Sequence, residues 1–98
     1  KKIEVELIKE DEILKAEVGK LYIDSLDKYN SRKYNESINL LQKALRIDPN
    51  NYTLLSRLGS VYYTYGFLDH AAFYWKKAYE INPDAPEMNR IKEFITKY

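Results

Sequence analysis

The chain has 98 residues, with 16 Lys and Arg against 15 Asp and Glu, and its net charge is +1. A chain of this length folds as one small domain with a modest core, so a large internal cavity is not expected. The balanced charge argues against nucleic-acid binding, because phosphate neutralisation dominates that affinity. No apolar stretch approaches the roughly 20 residues that cross a bilayer, so membrane insertion is not expected. With no cysteine, the chain has neither disulfides nor thiolate chemistry.

Residues 1–11 form an N-terminal extension whose secondary structure the sequence leaves open. Ile3, Leu7 and Ile8 are spaced as in a short amphipathic helix, whereas Ile3, Val5 and Leu7 alternate as in a strand. We expect a helix. The carboxylates of this region are mixed with lysines, which favours a charged helix face over paired catalytic carboxylates.

An internal repeat is visible further along the chain, where KALRIDP at residues 43–49 recurs as KAYEINP at residues 77–83. We call the alignment that pairs these two segments the Lys43/Lys77 register. Ahead of the second copy, Leu55, Leu58 and Tyr62 are spaced as the buried face of a helix. Gly66 can close that helix in the left-handed conformation, and Asp69 is expected to cap the next one. The pattern therefore predicts an antiparallel helical hairpin.

Small residues in this hairpin have a mechanical explanation. Gly59 on the first helix, with Ala71 and Ala78 on the second, would let the two helices approach closely. Larger apolar side chains then fill the space around that contact, namely Tyr62, Leu68 and Trp75. Pro83 ends the second helix, because proline lacks the N–H and disfavours a helical residue before it.

Residues 52–85 resemble the tetratricopeptide repeat family, in which a helical hairpin of about 34 residues is repeated along the chain. The matching residues are Leu55, Leu58, Gly59, Tyr62, Ala71, Trp75, Ala78 and Pro83. The resemblance implies an all-α fold, a superhelix of helical hairpins closed by a capping helix. It also implies a protein-protein interaction module that binds a peptide or helix of a partner protein.

The first repeat, predicted over residues 12–51, is less regular. When the Lys43/Lys77 register is continued towards the N-terminus, Asp24 and Lys28 align with apolar residues of the second repeat. Arg32 aligns with the glycine that ends its first helix. For the first helix we prefer a different alignment, the Gly19/Gly59 register, which pairs those two glycines and leaves six extra residues. The extra residues belong either to a longer first helix, from residue 12 to residue 29, or to a longer connection through residues 30–33.

Residues 86–98 are predicted to form the capping helix. Asp84 and Glu87 are spaced as a capping box, and Pro86 suits the first helical position. The apolar residues of this segment recur at helical spacing and would face the preceding repeat: Met88, Ile91, Ile95 and Tyr98.

The sequence predicts no enzyme and no cofactor. His70 is the only histidine and lacks both the clustered ligands of a metal site and the nucleophile of a catalytic triad, so we expect a solvated or capping role. The three glycines occur at repeat positions to which packing roles can be given, and no glycine-rich phosphate loop is present.

The first helices of successive repeats line the concave face in the family, and this places the predicted partner-binding residues. They are Lys20, Ile23, Ser56, Ser60, Tyr63, Thr64, Arg90 and Phe94. The expected occupant is an extended peptide or an amphipathic helix, with apolar anchors on the aromatic rings and acidic flanks against Lys20 and Arg90. The alternative that Tyr63 and Phe94 merely pack between helices stays open.

A second function remains open from sequence, that of a structural assembly element. Two repeats are fewer than such arrays usually need, so Phe73, Tyr74 and Tyr79 could make the chain a homo-oligomer or stack it on further repeats. RNA binding by helical repeats is disfavoured, because the required basic face is not evident.

Overall fold

The computed structural model describes residues 2–98, with side chains described from Lys9 onward. It contains five helices, α1 (Lys2–Asn30), α2 (Tyr34–Ile47), α3 (Tyr52–Tyr65), α4 (Leu68–Ile81) and α5 (Met88–Lys97). Each helix packs against the next in sequence, so α1–α2 and α3–α4 are hairpins, and α5 covers α4. The predicted all-α fold of helical hairpins is confirmed. Within the described residues, no helix is both long enough and apolar enough to span a membrane.

Helix α1 is twice as long as any other helix of the chain. It runs unbroken from residue 2 to residue 30 and includes most of the N-terminal extension. The connection to α2 consists only of residues 31–33. The connection is therefore short, and the helix begins ten residues before its predicted start at residue 12.

Both hairpin loops have the same backbone form. Arg32 in the first loop and Gly66 in the second adopt left-handed conformations, with φ of 60° and 97°. In each loop the following residue donates its N–H to the carbonyl five positions earlier, at 2.8 Å in the first hairpin and 2.9 Å in the second. This pair of features defines a helix end that favours glycine but tolerates other residues. The loops therefore correspond in the Lys43/Lys77 register, which pairs Arg32 with Gly66.

The buried small residues follow the same register. Ser25 and Ser37 are fully buried in the first hairpin, and their counterparts in the second are Gly59 and Ala71. The hydroxyl of Ser37 donates a hydrogen bond of 2.9 Å to the backbone carbonyl of Ser25 and joins the two helices. The Gly19/Gly59 register, with its six-residue insertion, is therefore wrong for this hairpin. The extra length of α1 lies at its N-terminus, over residues 2–17.

The Trp75 ring occupies the space that a side chain at position 59 would need, so only glycine fits there. A Cβ built on Gly59 would overlap the Cδ1 and Nε1 atoms of the indole ring. The indole N–H donates a 3.0 Å hydrogen bond to the carbonyl of Ser56, which lies one turn earlier on α3. Ala71 and Ala78 on α4 are fully buried, as the close-approach prediction requires.

Two clusters of buried side chains form the core. One joins α3, α4 and α5 through Leu55, Ala71, Trp75, Ala78, Ala85, Met88 and Ile91. The other joins α2 and α3 and receives residues of α1; it contains Ile38, Leu41, Ala44, Leu54, Leu58 and Val61. Tyr62 and Tyr74 pack against both clusters with their rings stacked, the centroids 5.7 Å apart. The hairpins thus share one continuous core.

Two predicted helix caps are wrong. Helix α4 begins at Leu68, which places Asp69 in the first turn, where its charge suits the helix dipole but caps no N–H group. Helix α5 begins at Met88, so Asp84 and Pro86 precede it and no capping box forms. The side chain of Glu87 instead accepts a hydrogen bond from α3.

We predict opposite effects for alanine at two glycines. Gly59→Ala should lower the free energy of unfolding by about 1–3 kcal/mol, because the new methyl group displaces the Trp75 ring. Gly19→Ala should raise it by about 0.5–1 kcal/mol, because no heavy atom lies within 4 Å of the added carbon and alanine favours the helix. Urea unfolding followed by Trp75 fluorescence and by circular dichroism measures both. Equal effects of the two substitutions would contradict this packing.

Candidate partner-binding groove

Helices α1, α3 and α5 contribute side chains to one shallow groove. Its central part, of about 340 Å³, is lined by Tyr22, Tyr52, Thr53, Ser56, Arg57, Ser60, Glu87 and Ile91. Tyr22 comes from α1, residues 52–60 come from α3, Ile91 comes from α5, and Glu87 directly precedes α5. Ser60 donates its hydroxyl to the carbonyl of Ser56, so its remaining capacity is that of an acceptor. The groove centre is polar and of mixed charge.

A second, more apolar concavity of about 700 Å³ lies towards the C-terminal end of the groove. It is lined by Tyr63, Trp75, Pro86, Glu87, Arg90, Ile91 and Phe94. Three ring centroids lie within 5.3 to 5.5 Å of one another, those of Tyr63, Trp75 and Phe94. We call this site the aromatic concavity.

The rings of the aromatic concavity are partly core and partly surface. Trp75 is only 8% exposed, and its N–H is already bonded to Ser56. Tyr63 is 50% exposed although it contacts both Trp75 and Phe94. Tyr63 and Phe94 therefore pack between helices, as one sequence alternative expects, and they also present ring surface to the concavity. The floor offers ring faces and no indole donor.

A hydrogen bond from Tyr52 to Glu87 ties α3 to the start of α5. Burial is the largest cause that raises the pKa of Tyr52, to about 12, and the hydrogen bond and charge of Glu87 act in the same direction. The same hydrogen bond is the main reason that the pKa of Glu87 lies below its ordinary value. The two side chains hold each other in the neutral phenol and ionised carboxylate forms.

The structure brings together only part of the predicted site. Tyr63, Arg90 and Phe94 line the aromatic concavity, and Ser56 and Ser60 line the groove centre. Thr64 lies at the C-terminal end of α3, exposed at the surface. Its hydroxyl is hydrogen-bonded to that of Tyr29 on α1, 3.0 Å away.

Lys20 and Ile23 lie outside both concavities, on exposed positions of α1. Their assignment rested on the Gly19/Gly59 register. In the observed Lys43/Lys77 register, the counterparts of Ser60 and Tyr63 are Leu26 and Tyr29. The counterpart of Ser56 is Tyr22, which does line the groove centre.

Sequence reasoning missed Tyr52 and Glu87, although the helical spacing could have found them. Tyr52 lies one turn before Ser56 on α3, and Glu87 lies three positions before Arg90 at the start of α5. On each of these two helices, extending the line of predicted groove residues by one turn towards the N-terminus reaches the missed residue.

Other side chains singled out in the sequence lie away from the groove. His70 is exposed, and its ring stacks on Tyr62 with centroids 4.9 Å apart. Phe73 on α4 is 53% exposed, with the amine of Lys77 4.6 Å from its ring centroid. Among the side chains from Lys9 onward, no group of three or more His, Asp or Glu residues is placed to hold a metal ion.

Comparisons with known proteins agree with this architecture. A family model described as TPR repeat matches residues 28–66, from the end of α1 through α3. Among solved structures, a mutant form of MamA is similar, with 25% sequence identity and a TM-score of 0.69. The alignment covers 82% of this chain and 58% of the MamA chain, so the chain spans little more than half the length of that protein. No curated protein matches the chain in sequence.

We predict that Tyr52→Phe raises the pKa of Glu87 towards its ordinary value, because the donor that stabilises the carboxylate is removed. Folding lowers this pKa, so the associated stability is present above the unfolded pKa and lost as pH falls through the folded one. Carbon-detected NMR of the Glu87 carboxyl across acidic pH measures the change. Tyr29→Phe, which removes the hydroxyl bonded to Thr64, is the matched control and should leave Glu87 unaffected. An unchanged Glu87 titration in Tyr52→Phe would contradict the assignment.

Proposed function

We propose that this chain is a protein-interaction scaffold of the tetratricopeptide repeat type, and that it binds a peptide or helix of a partner protein in the groove of α1, α3 and α5. The TPR repeat model that matches residues 28–66 and the similarity of the fold to MamA support this proposal. The aromatic concavity carries this proposal. It gathers Tyr63, Arg90 and Phe94 over the ring of Trp75, within the size range of ligand sites. Proteins of this family and fold are typically non-enzymatic, and the groove is proposed to act by binding alone.

The floor of the aromatic concavity suits an apolar anchor. Because the Trp75 N–H is already bonded to Ser56, burying an apolar side chain on the ring leaves no indole donor unsatisfied. Tyr63 is half exposed and has a two-torsion side chain, so it covers a ligand at small entropic cost. An aromatic or large aliphatic anchor therefore gains burial without desolvating a polar floor.

The rim of the concavity favours an acidic residue beside the anchor. Glu87 and Arg90 are its two charged residues. The carboxylate of Glu87 already accepts the hydroxyl of Tyr52, whereas Arg90 is exposed and makes no ion pair within 4 Å among the described side chains. A carboxylate of the partner can therefore approach the guanidinium and pair with it.

The polar centre of the groove then suits the peptide that leads away from the anchor. Ser56 and Ser60 are half-buried, and Arg57 and Glu87 supply a donor and an acceptor on the same surface. An extended peptide carries one N–H and one C=O per residue, and these need polar partners when water is excluded. The groove therefore combines one apolar anchor site with a polar track.

The proposal is tested by selecting binders from a random displayed peptide library on the immobilised chain. We expect the selected peptides to carry an aromatic or large aliphatic residue near an acidic one. Tyr63→Ala and Arg90→Glu should each weaken them by about tenfold, as a central anchor and a charge pair do in other interfaces. Fluorescence anisotropy of labelled peptides measures the affinities, and circular dichroism checks the fold of each variant.

Matched controls lie on the same helices. Tyr65→Ala removes an exposed tyrosine two positions from Tyr63, and Lys92→Glu reverses an exposed charge two positions from Arg90. Both should leave affinity within about twofold. Equal affinity of the selected peptides for all four variants would mean that they bind outside the groove, which would contradict the proposal.

A further inference from the structure

The N-terminal part of α1 extends beyond the hairpin to which the helix belongs. The first residue of α3 corresponds to Val18 in the Lys43/Lys77 register, so residues 2–17 of α1 have no counterpart in the second hairpin. This segment spans about 24 Å at 1.5 Å per residue. It leaves a step where α2 ends and α1 continues alone, and we call this place the N-terminal step.

A concavity of about 450 Å³ lies in the N-terminal step. It is lined by Asp11, Leu14, Lys15, Val18, Gly19, Tyr22, Ile47, Asp48, Asn51, Thr53 and Leu54. Val18 and Tyr22 also pack on the core between α2 and α3, so the apolar face of α1 is continuous with the core. Leu14 continues that face by one more turn and is 46% exposed, and the adjacent Ile13 is 63% exposed. This apolar surface is uncovered where α2 stops.

No contact within the described residues explains why position 19 is a glycine. It lies inside a long helix, where glycine costs about 0.5–1 kcal/mol relative to alanine. It keeps helical φ, and no heavy atom lies within 4 Å of where its Cβ would be. The packing role predicted for it from the Gly19/Gly59 register is therefore wrong. The missing side chain instead opens the wall of the concavity to close approach by another backbone.

The charge around the N-terminal step is negative. Residues 9–17 contain four carboxylates and two lysines, a net charge of −2. One of these lysines, Lys15, is paired with Asp11 at 3.3 Å. Asp48, at the end of α2, adds a further carboxylate to the lining. A second copy of this chain would bring the same negative segment, so its surface is not complementary, whereas a cationic partner is.

We propose that the N-terminal step binds a helix of a partner protein whose apolar ridge is flanked by Lys and Arg. The ridge covers Leu14 and Val18 and passes close to the backbone at Gly19. The basic flanks face Asp11 and Asp48. This site adjoins the groove centre, since Tyr22 and Thr53 line both, but it shares no lining residue with the aromatic concavity. It does not depend on the function proposed for the groove.

The test uses a labelled synthetic helical peptide of about 18 residues, which spans the step, with a leucine ridge flanked by lysines. Its twin carries glutamate at every flanking position. Fluorescence anisotropy with the full chain at low salt should show the lysine peptide binding at least about tenfold tighter than the twin. The double variant Asp11→Lys and Asp48→Lys should reverse that preference. Equal affinity for the two peptides, or failure of both to bind, overturns the proposal.

Gly19→Phe tests the geometry separately from the charge. The ring would enter open space and fill the concavity, so the fold is kept, as circular dichroism can verify, while peptide affinity falls at least about tenfold. Tyr63→Ala, in the aromatic concavity, should leave the affinity unchanged. Undiminished binding to Gly19→Phe overturns the proposal. Sedimentation that shows the chain alone dimerising, with the dimer abolished by Gly19→Phe, overturns it in favour of a second copy.

Discussion

The seating of the Trp75 ring on the bare backbone of Gly59 is the contact on which the second hairpin depends. A single methyl group at this place would overlap the ring. Because the indole N–H reaches the carbonyl of Ser56, the ring is held by a directional bond as well as by packing. That fixed ring also forms the floor against which Tyr63 and Phe94 pack. The stability of the hairpin and the shape of the aromatic concavity therefore have one origin.

The first hairpin solves the same packing problem with different chemistry. Leu41 stands where the second hairpin has Trp75, and Ser25 and Ser37 stand where it has a glycine and an alanine. The smaller aliphatic side chain needs no bare backbone opposite it, and the hydroxyl of Ser37 supplies a cross-helix hydrogen bond. The two hairpins thus share one backbone register while their side-chain contacts differ. This difference is why the aromatic concavity occurs only once among the described residues.

The two ends of the array are also unequal. At the C-terminal end, α5 buries Met88 and Ile91 against α4 and turns exposed polar side chains such as Lys92 outwards, as a capping helix does. At the N-terminal end, α1 continues alone and leaves Ile13 and Leu14 exposed. Among the described residues, the uncovered apolar surface of α1 therefore lies at the N-terminal step.

The sequence by itself determined the all-α fold, the second hairpin and the left-handed helix end at Gly66, because periodic apolar residues and glycine chemistry act locally. It misaligned the first hairpin, since burial of Ser25 is decided by a neighbouring helix and leaves no hydrophobic signal. Only the tertiary structure decided that Tyr63, Arg90 and Phe94 meet and that Lys20 does not join them. The periodicity of a helix determines which of its residues lie on one face, but the packing between helices determines which of these faces line the same groove.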